Sequence, residues 1–170
     1  MTDNATEKWD ARFMAMAGLI ATWSKDPSTQ VGCVLVDDAR LVRGMGYNGF
    51  PRGVKDSAER LADREVKYLF VQHAEPNAIT NASGKTAGCT AYVTHHPCAN
   101  CAGLLIQAGI RRVVTHPPSG GLAERFRASF AASREMMSEA GVELVLVGTA
   151  ERCAVQPPPP TCDCDHRVNS

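Results

Sequence analysis

From residue 31 to residue 148, short apolar runs alternate with segments of helical period, and that alternation sets the fold class. "VGCVLVDD" and "LVRGMGYNG" read as two strands joined by the acidic turn Asp37–Arg40, which predicts a hairpin. "CTAYVTH", "RRVVTH" and "VELVLVG" read as three more strands. Between them the pattern predicts a helix from Ala74 to about Ala82, one from Cys98 ended by Gly109, and a long one over 120–141. A first helix precedes the hairpin, because Trp9, Phe13, Met16, Ala17 and Ile20 recur at helical spacing. Residues 54–70 are polar and predict a loop with some helix before Val71. The order α-β-β-α-β-α-β-α-β predicts an α/β fold with three layers, α-β-α, around a mixed, largely parallel five-stranded sheet.

A chain of 170 residues suits one such domain, expected over 1–148. The remaining 149–170 carry four prolines in sequence, which favour an extended tail without a packed core. Lys plus Arg (18) equals Asp plus Glu (18), a balance that disfavours a protein gripping a long nucleic acid. No apolar run reaches the roughly 18 residues that a membrane span needs. "MTDNATEKWD" has no signal-peptide core, so a cytoplasmic location with reduced thiols is expected. Seven cysteines in such a chain point to metal binding or burial rather than to a disulfide scaffold.

Two stretches carry chemistry. "VQHAEPNAI" sets His73 and Glu75 at a helix start, with Pro76 in the first turn, where a missing N–H costs nothing. "THHPCANC" sets Cys98 and Cys101 at the start of the next helix, where two sulfurs share one face and the helix dipole favours thiolate. One imidazole added to that pair makes a three-ligand zinc set whose fourth position stays open for water, as a catalytic zinc requires. Zinc lowers the pKa of water to near neutrality, and a carboxylate such as Glu75 can take the proton and pass it on. The full pattern, H-x-E followed about 25 residues later by P-C-x-x-C, matches the signature of zinc deaminases.

The sequence resembles the cytidine deaminase superfamily, and within it the deoxycytidylate (dCMP) deaminase branch. The resemblance runs from Trp9 to about Val147 and rests on "SKDPSTQVG", "GYNGFPRG", "HAEPNAI", "HPCANC" and "IQAGIRRVV". It implies a cytidine deaminase-like fold and the hydrolytic loss of ammonia from C4 of cytosine, giving dUMP from dCMP. It implies that His73, Cys98 and Cys101 ligate Zn2+. It gives Glu75 the proton transfers to N3 and to the departing ammonia, and makes Asn48 the amide that contacts the sugar. Ser24, Lys25 and Arg52 are candidates for the 5′-phosphate, unranked among themselves. The branch implies a homo-oligomer, a hexamer among the forms known, with dCTP and dTTP as effectors.

Two positions depart from the branch: Pro76 stands where a Leu is typical, and Trp23 where an Arg is common. His95 and His96 are read as packing or surface residues, and Cys33, Cys89 and Cys153 as small apolar ones. In the tail, "CDCDH" (Cys162, Cys164, His166) is read as incidental ligands. Other readings stay open on the residues: a deaminase of 5-substituted dCMP, cytidine, guanine or tRNA adenosine, a zinc-stabilised scaffold without catalysis, or a thiol-disulfide oxidoreductase using Cys98 and Cys101.

Overall fold

The computed structural model describes residues 4–148. The expected tail, Cys153 and the "CDCDH" cluster therefore lie outside the described residues. Twelve elements follow one another: α1 (Asn4–Ala21), β1 (Gly32–Val36), β2 (Val42–Tyr47), α2 (Ala58–Ala62), α3 (Arg64–Phe70), α4 (Ala74–Thr80), β3 (Thr90–Val93), α5 (Ala99–Gln107), β4 (Arg112–Thr115), α6 (Gly120–Arg125), α7 (Arg127–Glu139) and β5 (Glu143–Leu146).

The five strands form one mixed sheet in the order β2-β1-β3-β4-β5. β3, β4 and β5 run parallel, while β1 pairs antiparallel with both β2 and β3. Half of the strand pairings are thus antiparallel, against the largely parallel sheet that the alternation suggests. The crossover rule still holds for β2–α4–β3, whose two strands point the same way. They are not neighbours, because β1 is inserted between them.

Helices cover both faces. On one side Phe13, Met14, Ala17 and Ile20 of α1 pack on Val34, Val36, Tyr92 and Val114. On the other, Ala74 and Ala78 of α4, Ala102 and Leu105 of α5 and Met137 of α7 pack on Cys33, Leu35, Ala91, Val93 and Val113. Every residue of β1 and β3 is buried, as strands covered on both faces must be. Cys33 and Cys89 are buried free thiols, in line with their reading as small apolar residues.

Two glycines of β2 decide where α4 sits. A Cβ on Gly44 would collide with the Ala78 carbonyl, and one on Gly46 with Ala78 N, Ala74 O (2.6 Å) and Asn77 C (2.7 Å). The helix backbone therefore lies directly on the strand. Asn77 and Asn81 tie it down further, donating from Nδ2 to the carbonyls of Tyr47 (2.8 Å) and Met45 (3.2 Å).

Residues 54–70 hold the helix expected before Val71 as two short capped helices, α2 and α3. The Asp63 carboxylate accepts from the N–H groups of Glu65 (3.0 Å) and Val66 (3.2 Å) at the start of α3. The long helix over 120–141 is two helices, broken at Phe126, whose φ of −106° and ψ of 18° leave the helical well. The break leaves Phe126 and Phe130 in ring contact, with centroids 6.1 Å apart.

Candidate active site

The N-termini of α4 and α5 meet at one end of the sheet. His73 is the N-cap of α4 and Cys98 the N-cap of α5, both in extended backbone and neither using its side chain as a cap. Their side chains are thus left for other work. At α5 the Ala99 N–H is satisfied from α7 instead, by Ser129 Oγ at 2.9 Å. His73 Nδ1 stands 3.7 Å from Cys98 Sγ and 3.3 Å from Cys101 Sγ, and one ligand atom from each of the three residues lies within 4.8 Å of the others.

This donor set fits zinc. A tetrahedral ion with bonds of about 2.0–2.3 Å to nitrogen and sulfur separates its ligand atoms by roughly 3.5–3.8 Å, close to the spacing seen. Two thiols and an imidazole are also the soft and borderline donors that zinc takes. The three donors share protons among themselves, and a bound ion would displace them. Cys98 is pushed down to about 4, chiefly by the hydrogen bond from the Cys101 thiol and then by His73, against its partial burial. The Cys101 thiol is pushed up by the same shared hydrogen bond and by burial. The His73 imidazole is raised by its bond to Cys98, outweighing burial.

Glu75 sits in the first turn of α4 and is 3 % exposed. Burial raises its carboxyl above the ordinary range, and the nearby His73 only partly offsets this. Oε2 has no hydrogen-bond partner among the described residues. A buried carboxyl oxygen without a partner is costly; His96 Nε2 and Ser133 Oγ share that state, and the place of Glu75 beside the three donors is what makes it the candidate functional group. Pro76, half-buried, follows within the first turn as expected.

Above these residues opens a cleft of about 860 Å³ lined by His73, Glu75 and Cys98 at one end. Asn48 also lines it, yet its amide is engaged with the chain itself. Oδ1 accepts from the Val31 N–H (2.8 Å) and Nδ2 donates to the Thr29 carbonyl (2.9 Å). Asn48 thereby braces the 29–31 segment on the cleft wall. Ser24 is buried behind it, and its hydroxyl donates to the Asn48 carbonyl at 2.8 Å. Lys25 and Arg52 are exposed and do not line the cleft: Lys25 pairs with Asp56 (2.8 Å) and Arg52 donates to Asn81 Oδ1 (2.6 Å).

The cleft brings in residues that the sequence reading did not single out. Lys67, one of the few buried lysines a fold tolerates, donates to Asp26 Oδ1 (3.1 Å) and Ser28 Oγ (2.6 Å). Burial pushes the Asp26 carboxyl up, but bonds from Ser28, Lys67 and Thr29 outweigh it and hold the group below the usual carboxylate range. Arg64, Tyr68 and Arg125 stand on the wall as well. No motif marks them, since α3 lies in the stretch read as polar and α6 in the stretch read as the start of one long helix. His96 lines the cleft with its ring packed on Phe130, centroids 5.1 Å apart, which agrees with its reading as a packing residue. Trp23 is exposed and meets Tyr47 edge-on.

A family model described as the cytidine and deoxycytidylate deaminase zinc-binding region matches residues 7–117. An uncharacterized deaminase from the luxG 3′ region of Aliivibrio fischeri is 47% identical over 137 residues, covering 81% of this chain and 92% of that one. The deoxycytidylate deaminase of Mus musculus is 46% identical over 113 residues, covering 63% of this chain and 64% of its own. Among solved structures, the dCMP deaminase of cyanophage S-TIM5 in complex with dCMP and dUMP superposes with a TM-score of 0.65 at 21% identity. That overlap covers 86% of this chain and all of that one, and it shows a shared fold. Among the described residues no helix is long and apolar enough to cross a membrane.

Proposed function

We propose, from the premise that this chain belongs to the cytidine and deoxycytidylate deaminase zinc-binding family, that it is a zinc-dependent hydrolase converting dCMP and water to dUMP and ammonia. The observation that carries the reading is a buried carboxyl with one unpartnered oxygen beside a three-donor set of imidazole and two thiols. A scaffolding zinc module has no use for such a carboxyl, and a thiol oxidoreductase leaves His73 without work.

His73 Nδ1, Cys98 Sγ and Cys101 Sγ would hold the ion. Zinc, when bound there, supplies the Lewis acidity that makes water a nucleophile near neutral pH. The chain's own residues do the rest. Glu75 takes a proton from the attacking water and returns it to ring N3. It then takes the remaining proton from the new C4 hydroxyl and delivers it to the exocyclic amine, so that the C4–N bond breaks, the C4 carbonyl forms and ammonia leaves. Burial around Glu75 keeps bulk water from competing for these protons. The wall braced by Asn48, Ser24 and the Asp26–Lys67 pair holds the nucleotide against that end. The proposal also carries a cytoplasmic placement, from the N-terminal sequence, and, from the resemblance, a homo-oligomeric state with regulation by dCTP and dTTP.

The test is ammonia release by the zinc-loaded protein from dCMP, CMP, dCTP, cytidine, 5-methyl-dCMP, guanine and a tRNA stem-loop. The reading expects dCMP to have the highest kcat/KM and one ammonia per dUMP. A preference for guanine, a free nucleoside or the stem-loop would contradict it.

A further inference from the structure

We infer that Arg64 and Tyr68 of α3 and Arg125 of α6 form a clamp that selects a 5′-monophosphate over the free nucleoside. The inference rests on the function proposed above and assigns the residues that read the phosphate. Three observations carry it.

First, the three side chains line the same cleft as His73 and Glu75 and come from two helices, α3 and α6. Arg125 Nη1 donates to Tyr68 Oη at 3.1 Å, and the Arg64 guanidinium lies 5.3 Å from the centroid of the Tyr68 ring. Two planar donor forks therefore bracket one phenol. This is the geometry that receives a multiply charged oxyanion, because guanidinium offers paired N–H groups to phosphate oxygens.

Second, their charge is unspent. Neither Arg64 nor Arg125 has a carboxylate at ion-pairing distance among the described residues. By contrast Lys25, Arg43, Lys67, Arg111 and Arg112 are each neutralised by one. The two acids lining the cleft do not cancel the arginines: Asp26 is taken by Lys67, and Glu75 is buried at the reactive end. In a chain of zero formal net charge this leaves a cationic wall on an active-site cleft. Burial pushes the Tyr68 hydroxyl up, but the bonds from the two arginines more than offset it, a further sign of local positive field.

Third, Lys25 and Arg52, the basic residues of the sequence motifs, point elsewhere and already have partners. Among the described residues, the guanidinium groups without a carboxylate partner in the cleft that holds His73 and Glu75 are those of Arg64 and Arg125 instead.

The experiment compares wild type, R125A, R125K and R64A/R125A, all zinc-loaded. It measures kcat/KM for dCMP and for deoxycytidine, and the affinity for dUMP and for deoxyuridine by calorimetry. The clamp predicts that the dCMP-to-deoxycytidine ratio falls about tenfold or more in R125A and further in the double variant, mainly through KM. R125K should recover part of the loss, since lysine restores the charge without the fork. It also predicts that dUMP loses affinity relative to deoxyuridine. An unaltered ratio, or an unaltered dUMP-to-deoxyuridine preference in R64A/R125A, overturns the clamp while leaving deamination standing. If the wild type deaminates neither compound, the proposed function falls. The clamp then stands if dUMP binding is weakened in the double variant and falls if it is not.

Discussion

Replacing Gly46 by alanine should disable the enzyme without touching a catalytic side chain. The added Cβ would fall 2.6 Å from the Ala74 carbonyl oxygen and 2.7 Å from Asn77 C, and closer still to Ala78 N. Ordinary contact begins at 3.4 Å, so the backbone of α4 must retreat by about 1 Å at the tightest point. The obstacle is backbone on both sides, so no flexible side chain can swing away. Overpacking of this kind costs about 1–3 kcal/mol, or roughly 3–10 °C in Tm for a chain of this size. His73 and Glu75 ride on the first turn of that helix. A shift approaching 1 Å in a catalytic group costs on the order of a hundredfold in rate. The assay is kcat for dCMP together with zinc content and thermal unfolding of G46A beside wild type. The expected result is a loss in kcat well beyond what the fraction folded explains. Wild-type kcat and Tm in G46A would refute the claim that strand β2 positions α4.

The ion pair of Asp26 and Lys67 should be felt in both stability and pH response. D26N leaves Lys67 buried with Ser28 Oγ as its remaining partner, a loss of about 2 kcal/mol read by denaturant unfolding at pH 7. Because the folded-state Asp26 carboxyl is depressed, its contribution is present above the unfolded value near 3.9 and is lost as pH falls through the folded value. The gap between wild type and D26N, measured on metal-free protein, should therefore narrow below about pH 4, and a gap that widens there would contradict the sign. C101A and H73A should each reduce zinc content well below one per chain, measured by atomic absorption after dialysis; retention of a full equivalent in both would remove them from the ligand set.

Much of this architecture can be read before any coordinates are known. Continuous apolar runs mark the central strands, because residues buried on both faces, such as Cys33 to Val36, leave no polar interruption. The H-x-E and P-C-x-x-C pattern marks the ends of two helices that pack side by side, so residues distant in sequence become neighbours in the site. What stays hidden is whatever depends on partners from elsewhere in the chain. The insertion of β1 between β2 and β3 is a choice of pairing that no local period records. Lys67 and Asp26 look like ordinary surface charges until the fold buries them against each other. Lys25 and Arg52 stand in suggestive motifs yet turn to Asp56 and Asn81. Arg125 and Tyr68 meet although 57 residues apart in sequence, and helical propensity gives no warning of the break at Phe126 that follows Arg125.

The central claim is that Glu75 moves protons beside an ion held by one imidazole and two thiols. Turnover of dCMP by E75Q, assayed on protein carrying one zinc per chain, tests it most directly. The isosteric amide keeps the size and hydrogen-bonding reach of the side chain and removes its basicity. The account predicts a fall in kcat of at least about a thousandfold with zinc content intact. Wild-type turnover by zinc-loaded E75Q would contradict it.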